Sequence, residues 1–155
     1  MTSRVQLALR VPDLAASIAF YTKLFGTEPA KLRDGYANFA IVEPPLKLVL
    51  IEGTAGEATR MDHLGVEVES TEAVHAATTR LSEVGLTTAE ENDTTCCYAL
   101  QDKVWVHGPG QEPWEVYVVK ADADSLVKQQ GSTCCTGPAQ ADTGSKEPAV
   151  AGGCC

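Results

Sequence analysis

Apolar residues recur along the first 120 positions with two alternating periods. Residues 4–11 (RVQLALRV) place an apolar side chain at every second position, the period of a half-buried strand. The spacing then lengthens over LAASIAFYTKLF, residues 14–25, and predicts a helix with Asp13 as N-cap and Gly26 as stop. Strand-like runs follow at 36–42 (YANFAIV) and 46–52 (LKLVLIE), separated by Pro44 and Pro45. After the polar linker GTAGEATRMD, HLGVEVE at 63–69 alternates again. Ser70 or Thr71 can cap a second helix through TEAVHAATTRLSEVG, which Gly85 would stop. TCCYALQ, KVWVH and WEVYVVK complete the round as strand-like runs, the last preceded by a GPGQ loop at 108–111.

The second round therefore echoes the first. Aligning VQLALRV with DHLGVEV puts Gln6 and His63 at the same point of each opening strand. A strand, a helix and several strands, twice over, predict an α+β domain over 1–120 with modules at about 1–53 and 61–120. From residue 121 to 155 there is no aromatic residue and one leucine. Such a segment buries too little apolar surface to offset its ordering entropy, and a flexible C-terminal tail is expected there.

Composition narrows the function classes. The chain has 155 residues, 44% hydrophobic and 21% charged, with a net charge of −9. The acidic balance leaves no basic stripe to neutralise phosphates, so nucleic-acid binding is not expected. No apolar run reaches the ~20 residues of a membrane-spanning helix, and the N-terminus does not resemble a signal peptide. A cytoplasmic protein is the expectation.

All six cysteines occur in adjacent pairs: Cys96 with Cys97, Cys134 with Cys135, and Cys154 with Cys155. In a reducing compartment they are expected as thiols. Neighbouring Cα atoms stand about 3.8 Å apart, below the roughly 4.4 Å floor of ordinary disulfides, so pairing within a doublet is disfavoured. Two adjacent thiolates suit a thiophilic centre such as trivalent arsenic or cadmium; the plainer reading is a pair of small buried hydrophobes. Successive strand side chains point to opposite faces, so both sulfurs reach one atom only at a bend. Residues 92–97 are therefore expected as a loop, with Glu90, Glu91 and Asp93 raising the thiol pKa values. The tail doublets fit either capture and delivery of the ion or incidental composition.

Four further residues carry candidate chemistry. Glu115 is a charge inside the apolar run WEVYVV; it is either solvent-facing or buried with a partner such as a metal. His63 sits on an alternating strand. His75 falls mid-helix, where an exposed face is expected, and His107 precedes a turn and could supply an imidazole ligand.

VPDLAASIAFYTKLFG, DHLGVEV and GPGQEPWEVY resemble the vicinal oxygen chelate superfamily of glyoxalases and extradiol dioxygenases. Within it, YANFAIVEPPLKLVLIE, HLGVEVEST and TTCCYALQDKVWV are similar to the ArsI-type carbon–arsenic lyases and their cadmium-induced relatives. The resemblance implies paired βαβββ modules forming an open β-cup around one divalent metal, with Gln6, His63 and Glu115 as ligands. It also implies Fe(II) as cofactor, dioxygen as co-substrate, and Cys96 and Cys97 as arsenic ligands. The implied reaction cleaves the carbon–arsenic bond of trivalent organoarsenicals, methylarsenite and reduced aromatic arsenicals among them, and releases arsenite. Gln6 stands where the superfamily usually has histidine, and an amide oxygen is a neutral, weaker ligand than imidazole. The fourth superfamily position, within 47–50, offers no carboxylate, so three ligands would leave open positions for dioxygen and substrate. The implied partner is a small organoarsenical, bound by a monomer or homodimer. The alternative is a non-catalytic protein that sequesters cadmium or arsenic.

Overall fold

Each half of the chain builds one half of a single sheet. The computed structural model describes residues 3–124. In chain order the elements are β1 (Arg4–Val11), α1 (Leu14–Phe25), β2 (Lys31–Arg33), β3 (Tyr36–Ile41) and β4 (Leu46–Glu52), then β5 (Arg60–Glu67), α2 (Thr71–Glu83), β6 (Ala89–Cys96), β7 (Ala99–His107) and β8 (Pro113–Asp122). The strand order is β2-β3-β4-β1-β5-β8-β7-β6. β1 lies parallel to β4 and β5 parallel to β8, while β1 and β5 run antiparallel and join the halves. The eight strands curl into an open half-barrel with both helices on its outer face, an α+β cup.

Alternation along the strands divides their side chains between the two faces. The outer face of the first half packs Val11, Phe39, Leu48 and Leu50 against Leu14, Ile18, Tyr21 and Phe25 of α1. The second half packs Val104 and Val118 against Val74 and Leu81 of α2. The inner face carries Gln6, Ala8, Tyr36, Lys47, Val49 and Ile51 from the first half. The helix ends follow the sequence. Asp13 accepts a hydrogen bond from the Ala16 N–H at 2.9 Å, and Gly26 closes α1 at φ 64°. Ser70 caps α2, accepting from the Ala73 N–H at 3.1 Å. Thr71 instead donates its hydroxyl to Asp102 at 2.6 Å.

The structure corrects three expectations. Of the loop expected at 92–97 only Cys97 lies in a turn: Ala89–Cys96 is strand β6, with a register shift between Glu91 and Thr94 and Asp93 at φ 51°. The mostly buried β7 needs backbone partners along its outer side, and β6 supplies them despite a polar sequence that hides its period. TCCYALQ is therefore not one strand but the end of β6, the turn at Cys97 and Tyr98 and the start of β7, with Cys96 and Ala99 paired across the turn. The opening strand of the second half begins at Arg60, three residues before His63, inside the expected linker. β8 runs from Pro113 to Asp122. The expected tail from residue 125 onward, with Cys134, Cys135, Cys154 and Cys155, lies outside the described residues. Among the described residues no helix is long and apolar enough to cross a membrane.

Candidate metal and thiol site

Gln6, Gly65 and Glu115 face one another across three adjacent strands at the centre of the sheet. The register pairs Gln6 with Gly65 and Gly65 with Glu115. Gly65 is the reason the outer two meet. A Cβ there would lie 3.1 Å from Glu115 Cγ and 3.3 Å from Gln6 Nε2. With that space open, Gln6 Nε2 donates to Glu115 Oε1 at 2.9 Å. His63, two residues earlier on β5, brings Nε2 to 3.0 Å from Gln6 Nε2 and 3.3 Å from Glu115 Oε1. The three side chains named from the sequence thus converge at one buried point on the inner face.

An amide, an imidazole and a carboxylate form the donor set of a divalent ion with open coordination positions. Among the described residues no three His, Cys, Asp or Glu side chains cluster, because the third donor is an amide. Gln6 presents Nε2 to the other two and accepts on Oε1 from the Tyr117 hydroxyl. A half-turn of the amide exchanges its two ends, bringing oxygen to the meeting point and leaving N–H to donate to Tyr117. The residues fit a metal ion.

Three groups hold this triad. The register of β5 against β1 shifts between Ala8, which pairs with His63, and Leu9, which pairs with Met61; Asp62 is the extra residue. Its Oδ2 lies 2.7 Å from His63 Nδ1, and its Oδ1 accepts from Arg10 Nε at 2.7 Å. Nε2 is left as the inward atom. Lys103 donates from Nζ to Glu115 Oε2 at 2.7 Å and is itself buried. Burial alone would raise the Glu115 pKa, but the Lys103 and His63 charges pull it well below the usual carboxylate range. Burial lowers His63, and Glu115 and Asp62 more than reverse that, holding it at about 9. Burial, then Glu67 and Glu115, keep the Tyr117 hydroxyl raised, so it remains a donor.

The cysteine pair closes the cup from one side. Cys97 and Tyr98 form the two-residue turn between β6 and β7 at φ 50° and 58°, the signs that a type I′ hairpin requires. Neither is glycine, and each left-handed residue costs about 1–2 kcal/mol. Contacts from the first half hold the turn. Tyr98 packs on Tyr36 at 5.3 Å between centroids and donates its hydroxyl to Asp34 O at 3.1 Å. Its carbonyl accepts from Lys31 Nζ at 3.1 Å and from the Ala123 N–H at 2.9 Å. Cys97 thereby packs over Ala8, Tyr36, Val49 and Ile51.

Burial raises the Cys97 thiol pKa, Lys103 lowers it, and Glu115 raises it again. The expected direction is found, but Glu90, Glu91 and Asp93 are not its cause. Cys96 is fully buried, and Cys97 is a free thiol. His75 and His107 are exposed and stand apart from the triad.

Lys103, Asp62, Tyr117 and Lys47 were not singled out from sequence. Lys103 carried a signal, being a charge in the apolar run KVWV just as Glu115 is in WEVYVV. Lys47 occupies the inner face beside Gln6, with which it pairs in register, and burial lowers its pKa against the raising effect of Glu67.

Comparison with known proteins accords with this geometry. The chain is 69% identical over 153 residues, 99% of each chain, to a trivalent organoarsenical cleaving enzyme of Thermomonospora curvata. It is 56% identical over 155 residues to the cadmium-induced protein CadI of Mycobacterium tuberculosis, covering 99% of this chain and 93% of that one. A homoprotocatechuate 2,3-dioxygenase variant from B. fuscum shares the fold at a TM-score of 0.58 and 22% identity; the match covers 81% of this chain and 34% of that one. The sequence model of the Glyoxalase/Bleomycin resistance protein/Dioxygenase superfamily matches residues 4–116, and the chain belongs to that superfamily, in the group of the trivalent organoarsenical cleaving enzymes and their cadmium-induced relatives.

Proposed function

We propose that this protein cleaves the carbon–arsenic bond of trivalent organoarsenicals, such as methylarsenite and reduced aromatic arsenicals, and releases arsenite, acting in the cytoplasm. The observation that carries the reading is the convergence of Gln6, His63 and Glu115 in the cup that Cys97 overhangs, in a chain 69% identical to a protein named for that cleavage. Gln6, His63 and Glu115 would hold Fe(II), which when bound supplies activation of dioxygen.

The chain's own residues do the rest. Asp62 fixes the His63 ring with Nε2 inward, as a carboxylate on the far nitrogen commonly does for metal-bound histidines. Lys103 neutralises the outer oxygen of Glu115 and lies near enough to Cys97 to favour its thiolate. Cys96 and Cys97 would hold the arsenic, releasing protons as the thiols bind. Holding arsenic and metal in one cup makes the reaction of the two centres effectively unimolecular.

A second reading has an observation of its own. The 56% relative is named for induction by cadmium, which favours sequestration of a soft ion by the same cysteines. One experiment separates the two. Reduced, anaerobically iron-loaded protein is mixed with methylarsenite with and without air, and arsenic species are measured. Arsenite that needs air and disappears on chelating the iron supports the lyase. Tight retention of methylarsenite with no product in either arm overturns it in favour of sequestration.

A further inference from the structure

Lys47 is a buried lysine whose ammonium no hydrogen bond holds among the described residues. Its ammonium lies 4.0 Å from Glu67 Oε1 and 5.1 Å from the centre of the Tyr117 ring, and it makes no hydrogen bond among the described residues. The cations around it are better placed. Lys103 donates to Glu115 at 2.7 Å, Arg10 to Asp62 at 2.7 Å and Arg4 to Glu67 at 2.6 Å. Glu67 is thus already held by Arg4, at shorter range than it holds Lys47. The Lys47 side chain keeps 11% exposure, and its ammonium has three donors to offer an acceptor in the cup.

The surroundings say what that acceptor is. Lys47 pairs in register with Gln6 on one side and with Ala40 on the other. Asn38, buried on the same face, is its diagonal neighbour across β3 and β4. The Asn38 side chain gives one N–H to the Tyr36 hydroxyl at 3.0 Å and makes no other hydrogen bond among the described residues. Between this pair and the thiol turn lies the apolar floor of Ala8, Val49, Ile51 and Tyr36, against which Cys97 packs. The floor is apolar and lies beneath the turn, and the Lys47 ammonium stands at its Gln6 end.

We propose that Lys47, assisted by Asn38, is a specificity subsite for an oxyanion on the organic group of an aryl arsenical. The proposal deepens the lyase reading and rests on it: with arsenic at the thiol turn, the ring lies on the apolar floor and its anionic oxygen meets the Lys47 ammonium. Methylarsenite, which has no such oxygen, gains nothing from Lys47. A charge-assisted hydrogen bond in a buried site is worth about tenfold or more in affinity.

Binding to the full-length, reduced, iron-loaded protein without oxygen tests this, followed by tryptophan fluorescence, since Trp105 borders His63 and Lys103. The probes are phenylarsenite and its 3- and 4-carboxy derivatives. Wild-type protein is expected to bind at least one carboxy isomer about tenfold more tightly than phenylarsenite. Lys47→Met should bring that ratio to about one, and Lys47→Arg, which keeps the charge, should preserve most of it. Glu67 keeps Arg4 in the Met variant, so no buried carboxylate is stranded. A wild-type ratio near one, or an unchanged ratio in Lys47→Met, overturns the subsite while leaving the lyase reading in place. Failure of the wild type to bind any of the three overturns both.

Discussion

Asp62 Oδ2 lies 2.7 Å from His63 Nδ1, and the two are brought together by the extra residue that β5 inserts opposite β1. The ring is thereby fixed by a neighbour in sequence as well as by the strand that carries it. Asp62→Ala removes the orienting carboxylate and leaves the three inward donors in place. The expected result is a loss of metal affinity of about 10–100-fold with an unchanged circular dichroism spectrum. Competition against a chelator reads the affinity directly. Wild-type affinity in the variant would mean that packing alone orients His63.

Gly65 makes a sharper test of the triad, because nothing about its own chemistry can bind a metal. A Cβ at that position meets Glu115 Cγ at 3.1 Å, the Glu115 carbonyl oxygen at 3.2 Å and Gln6 Nε2 at 3.3 Å. One of those contacts is backbone and cannot swing away. Gly65→Ala should cost about 1–3 kcal/mol of stability through overpacking. It should also weaken metal binding at least as much as it weakens folding, since the displaced atoms are donors. A variant that loses stability in urea yet binds metal normally would show that Gln6 and Glu115 are not the ligands.

Much of this arrangement was legible in the order of residues, and the reasons for the rest are local. The period-2 and period-3.6 runs marked β1, α1, β3, β4, β5, α2 and β8 because each buries one face or stripe. β6 escaped because AEENDTTC contains no apolar alternation; its strand conformation comes from pairing with β7, a tertiary effect. A bend at the cysteine pair was expected, but its being a two-residue hairpin turn at Cys97 and Tyr98 escaped, because turns of this sign are normally announced by Asn or Gly. Gln6, His63 and Glu115 were found through the echo between the halves and the resemblance it supported. Lys103 and Lys47 were passed over because a lysine in a strand ordinarily reaches water, and only the curl of the sheet turns these two inward.

The turn itself should be tunable without touching the metal. Tyr98 ties it to the first half through the Tyr36 ring and the Asp34 carbonyl. Losing a ring contact and one hydrogen bond removes about 2 kcal/mol from the turn's closed state, and alanine leaves the left-handed strain in place. Tyr98→Ala should therefore keep wild-type metal affinity while weakening retention of methylarsenite by about tenfold, the thiol being held over the floor for less of the time. Faster hydrogen exchange at residues 96–99 would accompany it. Equal loss of metal and arsenical binding would instead mean that the turn and the triad fold as one unit.

Acid stability isolates a network away from both. Asp102, 2% exposed, accepts from the Asp93 N–H at 2.8 Å and the Thr71 hydroxyl at 2.6 Å, and its Oδ2 lies 3.2 Å from Lys120 Nζ. Burial by itself raises its pKa, but the Asp93, Thr71 and Lys120 interactions outweigh that and bring it below the ordinary value of 3.8. A carboxyl lowered on folding adds stability that is present in full above its unfolded pKa. That stability is lost as pH falls from there through the lower folded value. Asp102→Asn turns an amide N–H toward donors and should cost about 2 kcal/mol at pH 7. Urea midpoints for the two proteins should therefore differ at pH 7 and draw together below the ordinary value of 3.8. A gap that stays constant from pH 7 to pH 3 would mean that Asp102 contributes through shape and not through charge.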